Sequence, residues 1–110
     1  MTKPFSELNI SEIYEYFKEG DFANGGEIKE YVEWKLDLEP IFEKTEDEGD
    51  QFRTRYYIYE FDQGGYILFV ESLSLQSGEF LLEGDVHWEV TDQYEDYVTR
   101  YVFGYPVKMA

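Results

Sequence analysis

The residue best suited to acid–base chemistry is His87, the only histidine of the chain, which has Asp85 two positions before it and Glu89 two positions after it. A histidine between carboxylates could serve as a general base. Catalysis would also need a nucleophile at a recognisable spacing or a glycine-rich phosphate loop, and the sequence contains neither. We therefore interpret His87 as a surface residue and predict that the protein is not an enzyme.

Metal binding would need clustered ligands, and the densest cluster is Glu46, Asp47, Glu48 and Asp50. These are hard oxygen ligands of the kind that calcium prefers, but they lack the spacing of an EF-hand loop. The absence of cysteine excludes thiolate zinc sites and disulfides. The sequence predicts no metal site and no cofactor.

The strongest chemical feature is negative charge. The 110 residues include 25 Asp+Glu and 9 Lys+Arg, a formal net charge of −16, and no lysine or arginine occurs from Tyr56 to Thr99, where there are ten carboxylates. Such a surface repels nucleic acid and anionic lipid, so we predict neither direct nucleic-acid binding nor membrane binding. It attracts basic proteins.

Length and composition predict one folded domain over residues 1–110. An acidic chain is often disordered, but here 43% of residues are hydrophobic and 20% aromatic, which is enough to build a core. The absence of cysteine, of an apolar signal-peptide run in Met1–Phe5 and of any stretch long enough to span a membrane favours a cytoplasmic protein.

The elements that would position these carboxylates begin with a helix in the first 20 residues. Its apolar stripe has helical spacing: Ile10, Ile13, Tyr14 and Phe17. Asn9 and Glu12 match a capping box, and Gly20 is a typical helix end. Residues 21–26 are predicted as a loop.

The next segment carries two signals. Residues 31–38 alternate strictly between apolar and charged, and this predicts a strand. A short helical entry over residues 27–30, ahead of this strand, is left open, and Pro40 is expected to interrupt the ladder or to lie at a sheet edge.

Further along, residues 46–50 are predicted as a charged turn, residues 52–61 as a strand, residues 62–65 as a hairpin turn and residues 66–70 as the returning strand. A turn at 76–78 leads into a strand over 80–90, in which Gly84 marks a bulge. Residues 94–103 fit a helix by spacing and a strand by β-branched and aromatic content; we favour the strand. The predicted fold is α+β, with an N-terminal helix, or two, on an antiparallel meander of about five strands.

Alternate residues of a strand share a face at a spacing of about 6.5–7 Å. Glu83, Asp85 and Glu89 should therefore form a straight row of anions, comparable with alternate phosphates of DNA at about 3.4 Å rise per step. Acidic turns should extend this surface. The predicted partner-binding residues are Glu46, Asp47, Glu48, Asp50, Glu83, Asp85, Glu89, Asp92, Glu95 and Asp96.

In size, charge, lack of cysteine, aromatic content and carboxylate rows such as Glu83, Asp85 and Glu89, the chain resembles the small acidic DNA-mimic proteins of bacteria and phages. The resemblance implies an inhibitor, monomeric or a small homo-oligomer, that occupies the DNA-binding surface of a basic protein. Partners of that class include the histone-like protein HU, nucleases, glycosylases and repressors.

Three other functions fit the same composition. An immunity protein that neutralises one basic toxin would share nearly every feature. A generic acidic domain, as in halophiles, would be acidic for solubility alone. A small enzyme or ligand-binding domain is the third alternative.

Overall fold

The computed structural model describes residues 3–102, with the backbone alone for residues 101 and 102. The elements in chain order are a 3-10 turn (Phe5–Glu7), α1 (Ile10–Glu19), α2 (Gly25–Glu30) with a π-helical turn (Tyr31–Lys35), β1 (Phe42–Glu48), β2 (Phe52–Glu60), β3 (Tyr66–Gln76), β4 (Glu79–Leu82), β5 (His87–Thr91), and α3 (Tyr94–Tyr97) with a π-helical segment (Val98–Val102). The five strands form one antiparallel sheet. The predicted α+β class is confirmed.

Helix α1 begins at the predicted capping box. The backbone N–H of Glu12 donates to Asn9 Oδ1 at 2.9 Å, and the backbone N–H of Asn9 donates to Glu12 Oε1 at 3.1 Å. These bonds satisfy donors that the first helical turn leaves without partners. Ile13 and Phe17 are buried one turn apart, and the helix ends at Gly20 as predicted.

The strand predicted over residues 31–38 is wrong, because α2 continues as a π-helical turn over Tyr31–Lys35 and residues 36–38 form neither helix nor strand. The Asn24 side chain caps α2 by accepting from the N–H of Glu27 at 3.0 Å. Ile28 and Val32 are both buried, four residues apart. That pair lies on one side of a helix, so the core selects the helical alternative, and the helix continues well past residue 30.

Strand β1 lies where a charged turn was predicted. Residues 46–48 are part of the strand, and the turn is confined to residues 49–51, with Gly49 at φ +67°. Within β1 only Phe42 is a large apolar residue, so the sequence has no alternating apolar pattern that would predict this strand. It forms because its backbone pairs with β2 over seven residues, from Phe42 opposite Ile58 to Glu48 opposite Phe52.

Strands β2 and β3 form the predicted hairpin. The turn between them contains Gly64 and Gly65 at φ +95° and +89°, values that favour glycine. Strand β3 lies in the middle of the sheet and extends six residues beyond the predicted Val70. Its residues Ile67 and Phe69 are buried on one face and Leu68 on the other, so β3 is covered on both sides.

The strand predicted over residues 80–90 is interrupted at the predicted bulge. Its two halves, β4 and β5, both pair with β3, and residues 83–86 lie opposite only residues 71–72. Gly84 adopts φ +72°, in the left-handed region. The bulge proposal for Gly84 is therefore confirmed, but the strand does not run through it.

Helices cover both faces of the sheet. On one face α1 and α2 bury Phe17 and Val32 against Tyr59, Ile67 and Phe69. On the opposite face a smaller cluster joins α3 to the sheet through Ile58, Leu68 and Tyr97.

The strand favoured for residues 94–103 is wrong within the described range, and residue 103 lies outside it. The chain is helical from Tyr94 to Val102. Tyr94, Tyr97 and Val98 have helical spacing and pack on Ile58 and Leu68. Burial of that stripe outweighs the strand propensity of tyrosine and valine.

Candidate functional site

The predicted row of carboxylates Glu83, Asp85 and Glu89 is not formed. Glu83 and Asp85 lie in the bulge between β4 and β5, and only Glu89 belongs to a strand. The period-two geometry that would align three carboxylates requires one continuous strand. A straight strip of anions is therefore absent from this part of the sheet.

The carboxylate of Asp85 binds backbone groups and connects two parts of the fold. Its two carboxylate oxygens accept from the backbone N–H of Gly25 at 2.9 and 3.2 Å, and one of them also accepts from the N–H of Val86 at 2.8 Å. Gly25 is buried at the start of α2, and a Cβ at this position would overlap the carbonyl oxygen of Val86. Asp85 thus joins α2 to the sheet and is not free to bind a partner.

His87 and Glu89 lie on the same face of β5. His87 Nε2 is 3.1 Å from Glu89 Oε2, and the His87 side chain is exposed, as predicted for a surface residue. Protonated His87 would neutralise part of the charge of Glu89. Of the three residues predicted to form a row, Glu83 alone has neither a side-chain hydrogen bond nor an ion pair described among residues 3–102, and its side chain is exposed.

The predicted acidic residues at the end of β1 divide between the two sheet faces. Glu46 lies 2.8 Å from Lys44 Nζ, and Asp47 lies 2.6 Å from Arg53 Nε on the other face. The hydrogen bond from Arg53 lowers the pKa of Asp47, against a smaller opposing effect of burial. Asp47, Glu48 and Asp50 are exposed, and of these three only Glu48 and Asp50 have no ion pair described among residues 3–102.

The structure does bring Asp92, Glu95 and Asp96 together. They line one open depression with Tyr66 of β3 and Tyr94 of α3, whose ring centroids are 5.2 Å apart. Helix α3 places Glu95 and Asp96 in its first turn, and Asp92 precedes it. A pair of tyrosines surrounded by carboxylates offers both polar and flat apolar contact area.

Glu60 belongs to the same end of the sheet, because it lies opposite Tyr66 in the register of β2 and β3. A hydrogen bond to Glu60 is the main cause that raises the pKa of Tyr66, and burial adds to it. We call Glu60, Asp92, Glu95 and Asp96 the α3 acidic cluster. Strand β2 separates this cluster from Glu48 and Asp50 by eight residue steps, about 27 Å at the usual rise per strand residue.

A second surface was missed by the sequence analysis and is centred on Trp34. This side chain is 83% exposed, the largest exposure among the large hydrophobic residues described. It lines an open depression of about 680 Å³. The other lining residues are Asp21, Phe22, Glu27, Glu30, Tyr31 and Lys35. We call this depression the Trp34 groove.

Neighbouring contacts fix the outward direction of Trp34. The hydroxyl of Tyr59 donates to Glu33 at 2.6 Å, and Lys29 Nζ lies 3.3 Å from Glu33 and over the ring of Tyr57 at 4.3 Å. These contacts attach one side of the helix to the sheet. The signal that could have found the groove is the pair Ile28 and Val32, since a helix that buries both leaves Trp34 off the apolar stripe.

The wall of the Trp34 groove is rigid. The rings of Phe22 and Tyr31 meet edge to face at a centroid distance of 5.4 Å. The hydroxyls of Tyr16 and Tyr31 are 3.0 Å apart. Burial first, and then this hydrogen bond, raise the pKa of Tyr31 to about 12.

Residues 3–102 contain neither a clustered metal site nor a helix that could span a membrane. No three side chains of His, Cys, Asp or Glu in that range are grouped so that they could hold a metal ion. None of the helices described there is long and apolar enough to cross a membrane.

Comparison with known proteins adds no relative: no family model, no curated protein and no solved structure matches this chain.

Proposed function

We propose that this protein is a non-enzymatic DNA mimic that binds a basic DNA-binding protein and occupies its DNA-binding surface. The observation that carries the proposal is the segregation of charge: residues 56–99 contain ten carboxylates and no lysine or arginine. Seven of the ten side chains are exposed in the fold, and one of the seven, Asp85, is already held by backbone N–H groups. The other six are Glu60, Asp62, Glu79, Glu83, Asp92 and Glu95.

The α3 acidic cluster replaces the absent strand row as the centre of the proposed interface. Its carboxylates come from β2, the loop after β5 and α3, so packing of α3 on the sheet fixes their relative positions. Fixed carboxylates can accept charge-assisted hydrogen bonds from lysine and arginine side chains that otherwise hold phosphate.

The dimensions are also compatible with mimicry. The α3 acidic cluster and the exposed pair Glu48 and Asp50 lie at opposite ends of β2, about 27 Å apart. Eight steps along one DNA strand cover about the same distance. A basic groove that follows a duplex over that length could contact both ends. Long-range attraction to a chain of charge −16 would also speed the encounter.

The class of partner follows from this chemistry: a histone-like HU protein, a nuclease, a glycosylase or a repressor. We also propose a cytoplasmic location, because such partners act there. The reducing conditions of the cytoplasm do not affect a chain that has no cysteine and hence no disulfide.

Displacement of a fluorescently labelled DNA duplex from a purified basic protein tests the proposal, with an HU protein, a nuclease and a glycosylase as separate arms. We expect displacement in at least one arm. Replacing Asp92 and Asp96 by Asn and Glu95 by Gln should weaken displacement by about tenfold or more, since one close interfacial charge pair contributes about 1.5 kcal/mol at the least and about 1.4 kcal/mol is a tenfold change in affinity.

The matched control removes the same three charges elsewhere, by replacing Glu15, Glu19 and Glu43 with Gln. All three are exposed carboxylates outside residues 56–99. If both triple variants displace DNA equally, or if no arm shows displacement, the proposal of an ordered mimic surface is refuted.

An immunity protein is the second candidate function, and the exposure of Trp34 favours it. Interfaces with one cognate partner commonly have a tryptophan or tyrosine anchor. Protection against a single toxin, with no effect on unrelated DNA-binding proteins, would support this alternative over general mimicry.

A further inference from the structure

We propose that the Trp34 groove is an anchor site for an arginine side chain of the basic partner. In this arrangement the guanidinium group lies on the Trp34 indole and donates to carboxylates at the rim. This inference rests on the proposed function, because it supplies a second contact for the same basic partner.

No structural role accounts for the exposure of Trp34. The buried side of its helix is already filled by Ile28 and Val32, which are 3% and 0% exposed. The bond from Tyr59 to Glu33 prevents the helix from turning to bury the indole. Trp34 therefore faces water in a fixed direction, and a fixed exposed tryptophan has the character of an interface anchor.

The residues around Trp34 carry mainly negative charge. Asp21, Glu27 and Glu30 line the groove, against the single cation Lys35. An apolar occupant would desolvate these carboxylates without giving them a partner, which is unfavourable. A nucleic-acid base could stack on the indole, but its phosphates would be repelled. A cationic side chain satisfies both the indole and the carboxylates.

An indole next to carboxylates suits arginine better than lysine. The guanidinium group is planar, so it can stack flat on an indole while its edge still donates two parallel hydrogen bonds to a carboxylate. Lysine offers a point charge without this geometry. The depression, about 680 Å³ and open to solvent, has room for a guanidinium group. The edge-to-face pair of Phe22 and Tyr31 gives the groove a rigid wall.

The experiment observes Trp34 directly. The chain has two tryptophans, so a Trp88→Phe background leaves Trp34 as the only indole, while a phenyl ring keeps the half-buried packing against Phe17. Two peptides of equal length and charge serve as probes, one of arginine and glycine and one of lysine and glycine. Binding is followed by Trp34 emission and by protection of that emission from acrylamide.

We expect the arginine peptide to protect Trp34 from acrylamide and to bind more tightly than the lysine peptide. Trp34→Ala in the wild-type background should weaken arginine-peptide binding by about 30-fold, the size of a typical hot-spot loss, measured by calorimetry. Leu81→Ala is the matched control, because Leu81 is an exposed apolar residue of β4, 45% accessible, outside the groove. It should leave the affinity unchanged.

A second variant guards against a folding defect. Glu27→Gln with Glu30→Gln keeps an acceptor for the Ala23 N–H at position 27 while removing two rim charges, and it should lose the preference for arginine. Glu15→Gln with Glu19→Gln removes the same charge from α1 and should retain the preference. Full acrylamide access to Trp34 in the presence of bound peptide, or unchanged affinity in Trp34→Ala, would overturn the inference.

The DNA-displacement assay separates this inference from the proposed function. If Trp34→Ala displaces DNA as well as the wild-type protein does, the arginine anchor is refuted and the mimic surface stands. If the arginine peptide protects Trp34 but no DNA-binding protein is displaced, the mimic proposal fails and the arginine site stands.

Discussion

Asp85 gives the sharpest test of the fold, because a residue predicted to bind a partner instead ties two parts of the molecule together. In Asp85→Ala the backbone N–H of Gly25 loses the acceptors at 2.9 and 3.2 Å, and the N–H of Val86 loses the acceptor at 2.8 Å. Gly25 is buried, so water cannot fully replace the lost carboxylate. The start of α2 should then loosen from the bulge between β4 and β5.

The magnitude follows from the kind of bond lost. A hydrogen bond to a charged group contributes about 1.5–3 kcal/mol, and a buried donor left without a partner costs about 1–3 kcal/mol. Removing one negative charge from a chain of charge −16 reduces repulsion and so raises the free energy of unfolding by about a few tenths of a kcal/mol. We expect a net loss of about 2–3 kcal/mol for Asp85→Ala, and about 1 kcal/mol for Asp85→Asn, which keeps one acceptor.

Urea unfolding followed by circular dichroism measures this loss. In a thermal scan, about 2–3 kcal/mol corresponds to a fall in Tm of about 10 °C for a domain of this size. Glu83→Ala is the matched control: it removes the same charge two residues earlier from an exposed side chain in the same bulge. Should Asp85→Ala unfold within about 0.5 kcal/mol of Glu83→Ala, the assignment of Asp85 to the α2 junction is incorrect.

Four further measurements test the contacts and the charge. Tyr59→Phe deletes a 2.6 Å hydrogen bond to Glu33, so the free energy of unfolding in urea should fall by about 1.5–3 kcal/mol because the acceptor is charged; an unchanged value would argue against the bond. Burial and a hydrogen bond raise the pKa of Tyr31 to about 12, whereas an unfolded tyrosine titrates at about 10. Between these values the folded state binds more protons, so stability should fall as the pH rises from about 10 to about 12, and Tyr31→Phe should flatten that part of the urea-derived stability curve. The hydrogen bond from Arg53 lowers the pKa of Asp47, so its contribution is present above the unfolded pKa, about 3.9, and disappears as the pH falls through the lower folded value. In Arg53→Gln the Asp47 carboxyl signal should titrate at higher pH by NMR, and an unmoved midpoint would contradict the pairing. Finally, salt should screen the self-repulsion of a chain of charge −16, so Tm should rise between about 50 and about 500 mM NaCl while any complex with a basic protein weakens; a Tm that falls would count against net repulsion.

The parts of the fold that sequence reasoning predicted correctly are those fixed by neighbours in the chain. The capping box of Asn9 and Glu12 closes across three residues. The hairpin turn depends on Gly64 and Gly65, and the bulge on Gly84, each at a positive φ that glycine adopts readily. No distant contact is needed to specify any of these features.

The segment 31–38 shows where a local pattern is ambiguous. Its apolar positions alternate with charged ones, as in a strand, yet Val32 is also four residues after Ile28, as in a helix. The same residues therefore fit both the two-residue repeat of a strand and the repeat of a helix. Burial of both residues against the sheet, together with the hydrogen bond between Tyr59 and Glu33, selects the helix. The strand interpretation grouped Trp34 with the apolar side, which is why the groove was missed.

The sequence by itself determined the net charge, its concentration between residues 56 and 99, and the turns at glycine, because these depend on composition or on nearest neighbours. Only the tertiary structure decided which carboxylates face a partner and which hold the protein together. Asp85 binds the backbone of Gly25, 60 residues away, while Asp92, Glu95 and Asp96 meet around Tyr66 because α3 packs back on the sheet. Contacts across such distances follow from the packing of the whole core, which no local pattern contains.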